Sequence, residues 1–145
     1  MSTSSHAAPE PTDLLGYLLK HATSGLTART DAALAPLGID SKDFGALRML
    51  ARREPSSQLQ VAQALGIDRT TMVTLLDALE GKGLVSRRAD PNDRRRNVVE
   101  LTERGVTTWE DGEAAYRDAE DAFLAPVDRR KADELRDTLR SLLAE

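Results

Sequence analysis

The chain has no cysteine. That excludes disulfides, thiolate zinc sites, iron–sulfur clusters and cysteine-based redox sensing. Aromatic residues are scarce, at 3%, so the core must be assembled mostly from Leu, Ala and Val, a mixture that favours helices. No apolar run approaches the length that spans a bilayer, and the opening MSTSSHAAPEPT has neither the basic nor the apolar segment of a secretion signal. The expectation is a soluble cytoplasmic protein, not membrane-bound, with a disordered tip over residues 1–12. Histidine is equally rare. His6 and His21 are the only two, and the Asp and Glu residues lack the spacing of a metal-ligand set or of a nucleophile and its base. No enzymatic activity, metal or other cofactor is expected.

What is present is a chain of 145 residues, 40% hydrophobic and 30% charged, long enough for one globular domain and too short for two independent ones. Its net charge of −4 is unevenly spread. Residues 103–145 hold 12 acidic groups against 7 basic ones, whereas the short span Val85–Arg96 holds five arginines against Asp90 and Asp93. An acidic chain with a local basic cluster remains compatible with an anionic partner.

Helical spacing is plain in residues 13–37, where Leu14, Leu15, Leu18, Leu19, Ala22 and Leu26 recur on one face. Thr12 is the expected N-cap, and Pro36 followed by Gly38 the stop. Asp40 with Asp43 should cap a second helix that turns Phe44, Leu47 and Leu50 inward. Ser57 should cap a short helix over Gln58–Leu65, with Val61, Ala62 and Leu65 buried and Gly66 ending it. Asp68 should then cap a helix from Arg69 to about Lys82, with Met72, Leu75, Leu76 and Leu79 buried. Two short helices joined so tightly are a helix-turn-helix signature.

Gly83 follows as a left-handed helix stop, with Leu84 packing back on Leu79. The segments LVSRR and NVVEL flank Asp90-Pro91-Asn92-Asp93, which predicts a long-tipped hairpin carrying Arg87, Arg88, Arg94, Arg95 and Arg96. Thr102 should cap a long helix to about Leu124, and Asp128 a last helix whose Leu135, Leu139, Leu142 and Leu143 share one face. A helix-turn-helix followed at once by a basic hairpin is a winged helix, and both parts suit duplex DNA. A helix fits the major groove, where base edges carry a distinctive code, and arginine suits the narrow, electronegative minor groove. The second helix would present Arg69, Thr70, Thr71, Thr74 and Asp77 outward.

From about residue 13 onward the chain resembles the MarR family of bacterial transcription regulators. LGIDRTTMVTLLDALEGKGLVSRR is similar to the family's recognition-helix segment, and DPNDRRRNVVELTERG to its wing and the start of the next helix. The resemblance implies that Arg95 enters the minor groove, held in place by Asp93. The residues expected to meet DNA are Ser57, Gln58, Arg69, Thr70, Thr71, Thr74, Arg87, Asp93, Arg94, Arg95 and Arg96. Two positions that are commonly basic in the family are Thr74 and Ala78 here, which shifts base reading toward Arg69 and the threonines.

The resemblance also implies a homodimer built from residues 13–37 and 103–145, with residues 38–102 as the DNA-binding lobe. Leu14, Leu15, Leu18, Leu135, Leu139 and Leu142 would form the dimer contact, since their apolar stripes need cover. A small aromatic or phenolic effector is implied in a cleft lined by Tyr17, His21, Phe44 and Arg48, releasing a repressor from a palindromic operator. Two rival readings are a winged-helix scaffold for protein interaction and a ligand sensor with no DNA target of its own.

Overall fold

A computed structural model describes residues 10–52 and 56–144, with side chains described for all of these but 11, 56 and 94–96. The fold is mostly helical with a small sheet. Residues 1–9 of the expected disordered tip lie outside the described residues. Pro11–Asp13 form a short 3-10 turn, so Thr12 does not cap the first helix. Helix α1 runs Leu15–Leu34 and its N-cap is Leu14, which has no side-chain acceptor. The stop is as expected: Pro36 lies in a 3-10 turn, Ala35–Leu37, and Gly38 closes it with φ 75°.

Each helix of the central region begins with a capping side chain. Asp40 and Asp43 exchange hydrogen bonds at the start of α2 (Ser41–Ala51), Asp43 N–H donating to Asp40 Oδ1 at 2.9 Å and Asp40 N–H to Asp43 Oδ2 at 3.0 Å. Asp43 is buried and also accepts from Lys82 Nζ at 3.2 Å. The two-residue strand β1 (Ser56–Ser57) leads into α3 (Gln58–Leu65), where Ser57 and Gln60 form a second reciprocal cap. Asp68 caps α4 (Arg69–Gly81). That helix ends in a Schellman arrangement, Gly83 N–H to Glu80 O at 2.9 Å and Leu84 N–H to Leu79 O at 3.0 Å, with Gly83 at φ 76°.

Strands β2 (Val85–Asp90) and β3 (Asp93–Leu101) form the antiparallel wing, and the sheet order is β1-β3-β2. Strand β1 is too short to leave a period-two pattern and was not expected from sequence. Helices α5 (Glu103–Leu124) and α6 (Arg129–Leu143) follow, capped by Thr102 and Asp128.

The core lies in the central region, where Leu34, Phe44, Leu47, Val61, Met72, Leu76, Leu79, Val85 and Val99 are almost fully buried. Leu65 and Leu75, both expected inside, are only partly buried at its margin. Helix α5 comes close to this core because two of its residues lack side chains. A Cβ on Gly105 would lie 2.0 Å from the Leu84 carbonyl oxygen, and one on Gly112 would lie 2.8 Å from the Phe44 ring. The ends of the chain differ. Leu15 (62%) and Leu142 (65%) are largely exposed, and Leu14, Leu18 and Leu135 are also exposed, while Leu139 is partly buried.

Candidate nucleic-acid interface

Burial of Met72, Leu76 and Leu79 sets the rotation of α4 and leaves Arg69, Thr70, Thr71, Thr74 and Asp77 on its exposed side, as the periodicity predicts. Two of these hydroxyls serve the helix itself. Thr71 Oγ1 donates to Asp68 Oδ2 at 2.8 Å, and Thr74 Oγ1 to the Thr70 carbonyl at 3.1 Å. Hydrogen bonds from Thr71 hold the Asp68 carboxyl below the usual carboxylate range. Ser57, Gln58 and Arg69 border one groove of about 380 Å³, together with Val73 and Asn97. The structure therefore gathers three of the expected DNA-facing residues where α3, α4 and the wing meet.

The wing is closed by Pro91 and Asn92, with Asn92 N–H donating to Asp90 Oδ1 at 2.9 Å. Its register runs from Val85 opposite Leu101 to Ala89 opposite Asn97, then jumps to Asp90 opposite Asp93. Positions 94–96 are thus extra length on β3, which accounts for the long tip expected. Asp93 is exposed. The side chains of Arg94, Arg95 and Arg96, expected to face DNA, lie outside those described.

Arg88 crosses the wing to Glu100 at 3.2 Å. Arg87 is brought onto α4 rather than to the outer face of the wing. Its Nε and Nη2 donate to Glu80 at 3.3 and 3.1 Å, Nη2 also donates to Asp77, and Nη1 reaches Gln58 Oε1 at 3.4 Å. Arg87 in turn lowers the pKa of Glu80 through its hydrogen bonds.

The four residues expected to line an effector cleft fall into two pairs. Tyr17 and His21 are exposed, with ring centroids 4.0 Å apart and planes tilted by 36°. Phe44 is buried and stacks on Tyr116 at 5.1 Å, while the Arg48 guanidinium sits 4.9 Å from the Phe44 ring and 5.2 Å from that of Tyr116. Arg48 Nε and Nη2 donate to Glu113 at 2.7 and 3.0 Å, and Trp109 Nε1 donates to the same carboxylate at 3.2 Å. Trp109, Glu113 and Tyr116 were missed in the sequence, although their i, i+4, i+7 spacing puts them on one face of α5. Among the described residues no group of three or more His, Asp or Glu is placed to hold a metal ion, and no helix is long and apolar enough to cross a membrane.

Residues 37–96 match the MarR family. Over 128 residues the chain is 33% identical to HTH-type transcriptional repressor Rv2887 of Mycobacterium tuberculosis, spanning 88% of this chain and 92% of the relative. The chain belongs to the MarR family. It shares the family's fold over nearly its whole length. A structure of the transcriptional repressor CouR bound to a 23-mer DNA duplex is similar with a TM-score of 0.89 and 31% identity, covering 97% of this chain and 100% of that one. CouR from Rhodococcus jostii RHA1 bound to p-coumaroyl-CoA is similar with a TM-score of 0.80 and 29% identity, covering 93% and 95%. The winged helix-turn-helix of this MarR-family regulator is the element set those relatives share with it.

Proposed function

We propose that the protein is a cytoplasmic homodimeric repressor that binds a palindromic operator and releases it when a small aromatic or phenolic effector binds. One observation carries the reading: the exposed polar face of α4 stands beside an arginine-rich wing, on a fold that matches a repressor bound to duplex DNA. Helix α4 enters the major groove with Arg69, Thr70, Thr71 and Thr74, and Ser57 and Gln58 approach the backbone from α3. The wing tip, with Asp93, Arg94, Arg95 and Arg96, reaches the adjacent minor groove. Residues 38–102 act as the reading lobe.

Residues 13–37 and 103–145 pair two copies through Leu14, Leu15, Leu18, Leu135, Leu139 and Leu142. The apolar surface that α1 and α6 leave exposed supports this. Two lobes held at a fixed distance then read two half-sites about one helical turn apart. The effector enters near Tyr17, His21, Phe44 and Arg48, where the Arg48 guanidinium, paired with Glu113, packs over the Phe44 and Tyr116 rings. The p-coumaroyl-CoA bound to CouR supports an aromatic acyl group as the ligand class.

Fluorescence anisotropy on the DNA upstream of the protein's own gene tests the reading. The expected result is saturable, salt-dependent binding of one dimer per site, tighter than to a random duplex and weakened by an aromatic acid or phenol. Equal affinity for upstream and random DNA at matched salt would leave a scaffold or a pure ligand sensor as the better account.

A further inference from the structure

We propose that Arg87 is a positioning residue that fastens the wing to the recognition helix, so that both reach DNA as one rigid unit; the proposal rests on the DNA-binding reading above. A guanidinium has five N–H donors in a planar fork. In Arg87 one, on Nε, goes to Glu80, Nη2 serves Glu80 and Asp77, and Nη1 serves Gln58. Little donor capacity remains for a phosphate. The three acceptors lie on two helices, α3 and α4, while Arg87 itself is on β2, so a single side chain joins three elements.

Strand alternation explains the direction. Arg87 shares a face of β2 with buried Val85 and sits opposite Val99, which is fully buried. Its side chain is 20% exposed, whereas that of Arg88 on the other face is 50% exposed. Asp77 and Glu80 stand at i and i+3 on a helix that has to approach phosphates, and left unpaired they would repel them. Arg87 offsets that charge and fixes the angle between helix and hairpin. With both acids partly exposed, the ion pairs contribute little to stability. Their consequence is geometric: a wing held in place loses less freedom when it docks.

The test uses the full chain and compares the parent with Arg87→Ala, Arg87→Lys, the pair Asp77→Asn and Glu80→Gln, and the triple Arg87→Ala/Asp77→Asn/Glu80→Gln. Operator affinity is measured against salt, with a random duplex alongside. Parent protein that does not prefer the operator would refute the DNA-binding reading, not this inference. Given a binding parent, Arg87→Ala should lose about tenfold in operator affinity, within the range for residues that share one network, with no change in the slope of log affinity against log salt. Arg87→Lys should fail to restore it, because an ammonium lacks the fork. Asp77→Asn with Glu80→Gln should also weaken operator binding although it removes two negative charges, and the triple variant should be no weaker than Arg87→Ala. If Arg87→Ala does not fold, the Asp77→Asn and Glu80→Gln pair decides by the sign of its effect. A salt slope reduced by about one in Arg87→Ala, tighter operator binding on neutralising the acids, or additive losses would each overturn the proposal and make Arg87 a phosphate contact.

Discussion

Arg48 and Glu113, 65 residues apart in sequence, share two hydrogen bonds that bolt α2 to α5. The Arg48 guanidinium holds the Glu113 carboxyl below the usual carboxylate range, and burial only partly opposes this. The sign of the consequence follows. A carboxyl whose folded pKa is depressed contributes its stability in full above the unfolded value, about 4.3, and loses it as pH falls through the lower folded value. Because the Arg48 side chain is 40% exposed, solvent screens the pair, and Glu113→Gln should cost about 1 kcal/mol at neutral pH. The gap between parent and variant should narrow as pH falls below about 4.3 and close once pH is below the lower folded value. Urea titrations followed by Trp109 fluorescence check this, and a gap that does not vary with pH would refute it.

Gly105 offers a prediction with an unusual sign. Alanine is the better helix former by about 1 kcal/mol, yet its Cβ would press on the Leu84 carbonyl at 2.0 Å. Backbone must shift to relieve that contact, so Gly105→Ala should be destabilising by about 1 to 3 kcal/mol. Gly45 has nothing within 4 Å of its would-be Cβ, and Gly45→Ala should be stabilising by about 0.4 to 1 kcal/mol. Thermal melts of the two variants should move in opposite directions.

Leu142 is 65% exposed on α6. If two copies cover it, Leu142→Asp buries a charge at the contact and should yield monomers, and operator affinity should fall because the avidity of two half-sites is lost. Truncation before residue 131, which removes the whole stripe of Leu135, Leu139 and Leu142, should act in the same way. Sedimentation of the parent as a monomer, or of Leu142→Asp as an intact dimer, would contradict this.

At the wing tip, Arg95→Ala should cost about 1 to 3 kcal/mol of operator affinity and relax preference at the A·T-rich edge of the site. Arg96→Ala should weaken all sequences alike and reduce the salt slope by about one. If Asp93 holds Arg95, as the family resemblance implies, Asp93→Ala should weaken binding even though it removes a negative charge, because the released Arg95 would lose more freedom on entering the groove. Titrations at matched salt in which Asp93→Ala binds more tightly than the parent would reduce the wing to a diffuse basic patch.

An effector that weakens operator binding must, by linkage, bind more weakly in the presence of operator and by the same factor. Calorimetry with an aromatic acid, with and without saturating operator, measures one side, and operator titrations with and without the acid measure the other. An effector affinity indifferent to saturating operator would show that effector binding is not coupled to the reading face.

The features legible in the sequence are those governed by neighbours along the chain. Asp40, Ser57, Asp68, Thr102 and Asp128 cap their helices because a short polar side chain reaches the orphan N–H groups two or three residues on. Gly38, Gly66 and Gly83 end segments because a positive φ carries no Cβ penalty there. Periodicity likewise placed the buried stripe of α4 and so its exposed face. Thr12 failed as a cap because the chain makes a 3-10 turn before α1 begins. Where a long charged side chain would point was decided by tertiary structure alone. Arg87 reads as one of five equivalent wing arginines until β2 is packed against α4, and Arg48 reads as a cleft-lining residue until α5 brings the Glu113 carboxylate to it. Those partners lie up to 65 residues away, and only the packing of distant elements brings the acceptors within hydrogen-bond reach.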